Sequence, residues 1–252
     1  MASITIVLAT YNEETNIRAC MDSIASLADE ICIVDGNSTD KTVEIVREFG
    51  AKVKVTDNLP MFHINKQKAI DMASSDWILQ LDADERVTKQ LAQEIRSIIN
   101  SNPRENGFWI PRKNWFLGRY LMKGGQYPDY TLRLYRRGKG KLPQIDVHEQ
   151  AEVDGEIGYL KEALVHIADP KFKRYLLRFN RYTSLSAKQL NDSKISYNLS
   201  SAIRYLVLSP IWWFLLTYGR HKGFMDGWQG LIFSIFSSLR FPVSYIKGFM
   251  NK

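Results

Sequence analysis

The chain has 252 residues, 45% of them hydrophobic and 24% charged, with a formal net charge of +7. That supplies ample apolar material for a core, and the absence of any repeat or low-complexity tract excludes a repeat array; one domain plus an extension is the natural count. The only cysteines, Cys20 and Cys32, form no C-x-x-C pattern and read as buried free thiols of a reducing compartment.

In chain order, Ser3 to Leu8 is a β-rich run that stops at Ala9-Thr10-Tyr11-Asn12-Glu13-Glu14. It begins so near the N-terminus that no signal peptide is expected, which predicts a cytoplasmic active site. A helical period follows with Ile17, Met21, Ile24 and Ala28 on one face. The run Glu30–Val34 stops at Asp35-Gly36-Asn37-Ser38-Thr39-Asp40. The next helix groups Val43, Val46 and Phe49, with Gly50 as its stop. Residues 51–55 alternate like an edge strand. A helix near Asn65–Ser74 precedes the strand Trp77–Leu81, and another runs from about Thr88 to Asn100 with Leu91, Ile95 and Ile98 inward. Strands alternating with helices predict an α/β fold, a doubly wound and mainly parallel sheet. Ligands of such sheets bind at the carboxyl ends of the strands, where Asn12, Asp35, Asp82 and Asp84 all fall.

The segment Leu81-Asp82-Ala83-Asp84-Glu85 carries the sharpest chemistry. Two carboxylates at one strand end repel each other unless a cation lies between them. Mg²⁺ or Mn²⁺ on a diphosphate meets that need, because hard cations choose oxygen ligands. Alone, D-x-D is as well explained by a polar turn. Asp35 can accept a hydrogen bond from a uracil imide or from ribose hydroxyls, and Lys66 can offer a cation to a base carbonyl or phosphate. Neither G-x-G-x-x-G nor G-x-x-x-x-G-K-[ST] occurs, which points to a nucleotide sugar rather than NAD or ATP.

Together, Thr10-Tyr11-Asn12-Glu13-Glu14, Val34-Asp35-Gly36-Asn37-Ser38-Thr39-Asp40 and Leu81-Asp82-Ala83-Asp84-Glu85 resemble the family 2 glycosyltransferases of the GT-A fold. Gly125-Gln126-Tyr127-Pro128-Asp129, Leu132–Gly138, Val147-His148-Glu149 and Gly223–Gly230 are similar to the lipopolysaccharide-core β-glucosyltransferase subgroup. One departure is Gln67, where relatives often carry Asn. The resemblance implies an inverting hexosyl transfer, with a lean to glucose, from a UDP-sugar to a lipid-linked or envelope glycan. It implies nucleotide binding by Thr10, Tyr11, Asn12, Glu13, Asp35, Lys66 and Asp82, and metal binding by Asp82 and Asp84. His166 is the third metal candidate, with a core histidine as the competing reading. The acceptor hydroxyl needs a general base. Glu149 is the first choice and Asp129 the second, with Asp146 and His148 also in that segment. His63 reads as pocket rim or surface. Trp109, Trp115 and Tyr127 could stack on sugar faces, although core packing is the commoner role. A noncatalytic sugar-nucleotide-binding or scaffold protein of the same fold is the alternative. A nucleotidyltransferase would need a phosphate loop that Ala9–Glu13 does not provide.

Residues 1–105 are expected to bind the nucleotide, 106–170 to complete the site and bind acceptor, and 171–252 to form a helical, basic extension. Residues 171–252 carry 13 Lys/Arg against Asp192 and Asp226, whereas 1–170 are net acidic. The apolar runs Tyr205–Gly219, which Pro210 interrupts, and Leu231–Leu239 are each shorter than the roughly 20 residues of a membrane span. Basic charge beside them predicts peripheral contact with anionic lipid at the inner membrane face. Homodimerisation through that surface is the alternative. Nucleic acid is not expected as a partner, since the aromatics cluster in apolar runs instead of alternating with cations.

Overall fold

A computed structural model describes residues 1–59, 61–143 and 150–251. Asp146, His148 and Glu149 lie outside the described residues. The chain divides into two compact units, Met1–Arg112 with Asp129–His166 and Lys113–Pro128 with Ile167–Lys252.

In the first unit, β1 (Ile4–Thr10), β2 (Glu30–Asp35), β3 (Lys52–Val55) and β4 (Trp77–Gln80) pair in parallel in the order β3-β2-β1-β4. The expected edge strand is β3. Helices α1 (Glu14–Ile24), α2 (Thr42–Glu48) and α3 (Phe62–Asp71) make the crossovers, and α4 (Lys89–Asn100) follows. Period-two alternation along β1 sends Ile4, Ile6 and Leu8 into a cluster with Ile17, Met21, Ile24 and Ile95. Val7 points the other way, joining Cys32, Val34, Ile70 and Ile78.

Beyond β4 the sheet changes character. It continues through β8 (Asp129–Arg136), β6 (Gly107–Phe116), β12 (Leu164–Asp169) and β5 (Glu85–Arg86), with β7 (Arg119–Tyr120) and β11 (Ile157–Tyr159) also on β6. β9 (Gly140–Lys141) and β10 (Glu152–Val153) form a separate ribbon. The pairs β4–β8, β6–β8 and β5–β12 are antiparallel. No helix lies between α4 and residue 172 among the described residues, so the chain lacks the crossovers that parallel neighbours require. The doubly wound reading thus describes the first half of a mixed sheet.

Local details correct three expectations. α2 turns Ile45 and Val46 inward and leaves Val43 half-buried; Gly50, at φ +71°, closes it as expected. α3 begins three residues earlier than its apolar period suggested, which places His63, Lys66 and Ile70 together on its inner face. His63 is therefore buried, not a rim or surface residue. α4 is capped by Thr88, whose hydroxyl oxygen accepts from the Leu91 amide, and buries Leu91, Ile95 and Ile99, with Ile98 only partly covered.

In the second unit, α7 (Gly227–Met250) packs against both α5 (Phe172–Asp192) and α6 (Leu199–Arg220). Phe116, Leu121 and Tyr175 form its core with Phe233 and Phe236. The Gly223–Gly230 motif has a structural role here. Buried Asp226 accepts from the Lys123 amide at 2.7 Å and pairs with Arg119. A Cβ at Gly230 would collide with the Gly223 carbonyl oxygen. The first apolar run is not a short segment broken by Pro210. α6 is a continuous 22-residue helix, long and apolar enough to cross a membrane, because residues 199–204 extend the run and Pro210 falls where a wider i→i+5 turn precedes it.

Candidate active site

Strand register builds the site. Parallel pairing sets Thr10 opposite Asp35, and the Thr10 hydroxyl donates to the Asp35 carboxylate at 2.7 Å. Asp35 is fully buried and also accepts from the Ser38 amide and hydroxyl, both at 2.7 Å. Asn12, in the left-handed region at φ 53°, accepts from the Thr39 amide and donates its own amide to Ser38. The Glu13 amide donates to Thr42 Oγ1, and its carboxylate accepts from Asn16. These contacts lace the two strand-end loops into one rim, with the Tyr11 side chain exposed. Asp35 spends its carboxylate on organising that rim.

The D-x-D carboxylates are handled separately. Asp82 Oδ1 lies 2.5 Å from Lys66 Nζ, and Asp82 Oδ2 lies 2.7 Å from Arg133 Nη2. Asp84 Oδ2 instead lies 3.5 Å from His166 Nε2. The repulsion anticipated between the two acids is relieved by different partners. Burial opposes charge on Asp82, yet Arg133 and Lys66 hold its carboxyl well below the usual carboxylate range. Burial also draws the Lys66 ammonium below its ordinary value, against the pull of Asp82. Pairing between β5 and β12 sets His166 opposite Glu85 and so brings it to Asp84.

Glu85 links this group to Asp129. Completely buried, it accepts from the Asp82 amide at 2.9 Å and faces Arg112 at 3.2 Å and Arg133 at 3.4 Å. Arg112, opposite Asp129 in the β6–β8 register, donates to it through Nε and Nη2 at 3.0 and 2.8 Å. An unbroken polar path therefore runs Lys66–Asp82–Arg133–Glu85–Arg112–Asp129. The sequence reading missed Glu85, Arg112 and Arg133. Glu85 ends the D-x-D-E motif, and Arg112 and Arg133 sit in strands otherwise rich in apolar residues, a signal of paired buried charge.

Among the described residues, no group of three or more His, Cys, Asp or Glu side chains is arranged to hold a metal ion. Asp84 with His166 supplies two donors. That suits a divalent cation completed by substrate phosphate oxygens better than an all-protein cage. Gln67 is occupied structurally, accepting from the Leu142 amide and donating to Asp71. Trp109 stacks on Tyr159, and Trp115 meets Tyr120 edge-on. Burial pushes the Cys20 thiol up to about 12 and the Cys32 thiol up to about 11, so both are inert free thiols.

The Glycosyl transferase family 2 model matches residues 5–164, which include both strand-end loops, Lys66, the D-x-D-E motif and His166's strand up to Leu164. The chain belongs to that family. A glycosyltransferase of Rickettsia felis, described as uncharacterized, is 29% identical over 96% of this chain and 88% of its own length. The lipopolysaccharide core biosynthesis glycosyltransferase LpsC of Rhizobium meliloti is 26% identical over 91% of this chain and 88% of its own. Of the solved structures, that of S. aureus TarS 1–349 is similar with a TM-score of 0.49, at 14% identity over 99% of this chain and 92% of that one. This family 2 glycosyltransferase is an enzyme with a GT-A-like α/β fold and a helical C-terminal region.

Proposed function

We propose that the enzyme transfers a hexose, with glucose the favoured donor sugar, from a UDP-sugar to a lipid-linked or cell-envelope glycan, inverting the anomeric centre. The observation that carries the reading is the convergence of Asp84 and His166, two metal-compatible donors, within the same motif as the Lys66–Asp82–Arg133 group. Asp84 and His166, with Asp82 nearby, would hold Mn²⁺ or Mg²⁺, which when bound neutralises charge on the departing diphosphate. Lys66 and Arg133 bring further positive charge to the same end of the sheet. The rim of Thr10, Tyr11, Asn12, Glu13 and Asp35 would cradle the nucleoside, with residues 1–105 as the donor half and 106–170 as the acceptor half. Asp129, oriented by Arg112, or Glu149 takes the acceptor's proton as its oxygen attacks the anomeric carbon. The name of the Rhizobium meliloti relative supports an envelope glycan as acceptor.

Residues 171–252 would hold the enzyme peripherally on anionic lipid at the cytoplasmic membrane face. Leu199, Leu208, Ile211 and Trp212 are exposed along α6, which carries Arg204 and Arg220 and no acidic residue. A spanning placement is disfavoured, since Arg240 of α7 stacks on Trp213 near the middle of α6, where a charge would meet hydrocarbon. Lying in the interface suits both features.

Calorimetric titration of UDP tests the donor site, first with Mn²⁺ and then with EDTA. Metal-dependent binding that Asp84→Asn weakens at least tenfold is expected. Equal binding by folded wild type and variant would remove the metal assignment.

A further inference from the structure

Within the second unit, α5, α6 and α7 flank an open recess of about 250 Å³ that the transfer reaction does not use. Its lining includes Ser186, Gln189 and Ser193 from α5 and its end, Tyr205 from α6, and Arg240 and Ser244 from α7. No carboxylate is among the lining residues. The Arg240 guanidinium lies 4.4 Å from the Trp213 ring centroid and 4.8 Å from that of Phe241, and it has no ion pair among the described residues. Two other arginines of this unit do pair with acids, Arg178 with Asp169 and Arg119 with Asp226. Arg240 itself is solvent-exposed, and burial of part of its guanidinium draws it below its ordinary value.

A cation with aromatic walls, ringed by hydroxyl and amide donors and no acceptor-only group, selects an anion. Arg240's planar fork suits the oxygens of a phosphate group, and aromatic stacking keeps that fork oriented without using its N–H donors. The surroundings are apolar: Leu190 and Phe241 also line the recess, and the exposed apolar side chains of α6 belong to the same helix as Tyr205. We propose that this recess is a phosphate-binding site, separate from the donor site, which takes the phosphate of an amphipathic phosphate ester through Arg240.

The ligand chemistry has two sources, a lipid headgroup and free phosphate. Full-length protein is titrated calorimetrically with dihexanoyl phosphatidylglycerol below its micelle concentration and, separately, with inorganic phosphate. Saturable binding of the lipid, weakened at least tenfold by Arg240→Gln and largely kept by Arg240→Lys, is expected. Gln189→Glu places a carboxylate in the lining at an exposed helix position and is expected to weaken binding as strongly. That variant stands in should Arg240→Gln fail to fold, with circular dichroism and UDP binding as fold controls. Inorganic phosphate binding that is equally tight and equally sensitive would assign the site to the free anion. Lipid binding without phosphate binding would assign it to the headgroup ester. Absence of binding by either probe, or binding that both substitutions leave unchanged, would overturn the site. UDP binding that persists while this site fails, or fails while this site persists, separates the two proposals.

Discussion

Glu85→Gln tests whether the buried carboxylate joins the D-x-D motif to Asp129 as a working unit. Glu85 is completely buried and accepts one backbone amide at 2.9 Å and two guanidinium contacts at 3.2 and 3.4 Å. The glutamine keeps the shape, but its amide nitrogen cannot accept, and it removes the charge that buried Arg133 and half-buried Arg112 face. Breaking a buried pair outright costs about 3–5 kcal/mol. Each arginine retains a second acid here, Asp82 for Arg133 and Asp129 for Arg112. The guanidinium contacts to Glu85 are also long, so the expected loss is about 2 kcal/mol, the scale of a charge-assisted hydrogen bond. For a chain of this size that lowers Tm by roughly 4–8 °C. Because the Asp82 amide loses an acceptor, donor affinity should fall about tenfold, which corresponds to 1.4 kcal/mol. Urea unfolding followed by tryptophan fluorescence, together with UDP calorimetry, reads both effects. A variant within about 0.5 kcal/mol of wild type, the ordinary scale of a surface substitution, and with unchanged UDP binding would refute the reasoning.

Three further outcomes are expected. Asp129→Asn and Glu149→Gln should both bind UDP normally, and one of them should lose transfer activity by about a hundredfold or more in an acceptor assay; full activity in both would remove the base role from these two acids. Burial resists charge on Glu30, but Lys52, Thr5 and Ser74 bring its carboxyl from 4.5 down to about 2. Its stabilisation is therefore present above pH 4.5 and lost as pH falls through about 2. Glu30→Gln should remove on the order of 1–2 kcal/mol at pH 7, discounted for the exposed Lys52 partner, and flatten the acid limb of a stability–pH curve. An unchanged acid limb would contradict that assignment. Finally, Leu208→Glu with Trp212→Glu should reduce cosedimentation with phosphatidylglycerol-containing vesicles at least tenfold while UDP binding persists. Undiminished sedimentation would refute membrane contact through this face of α6.

The residue types of the rim formed by the first two strand-end loops, and their positions, were legible in the sequence. A β-rich run that stops at polar residues, followed by a helical period, admits few arrangements once parallel pairing is assumed, and β1, β2 and β4 lie where the pattern put them. The mixed second half was not legible. Its strands are short, and antiparallel order depends on which distant strand pairs with which, a long-range choice that local periodicity does not encode.

That choice decided the chemistry of the site. Antiparallel register brings His166 to Asp84, and Arg112 to Asp129, across separations of 82 and 17 residues. The sequence supplied Asp82 as half of a metal pair. The fold surrounds it with Lys66 and Arg133, because a half-buried carboxylate keeps its charge more readily beside cations that offset its desolvation. The apolar character of the C-terminal region was likewise written in the sequence, whereas the continuity of α6 and the recess beside Arg240 were not. Both arise from how three helices pack, since only packing determines which side chains of a helix are covered and which cation is left without an acid.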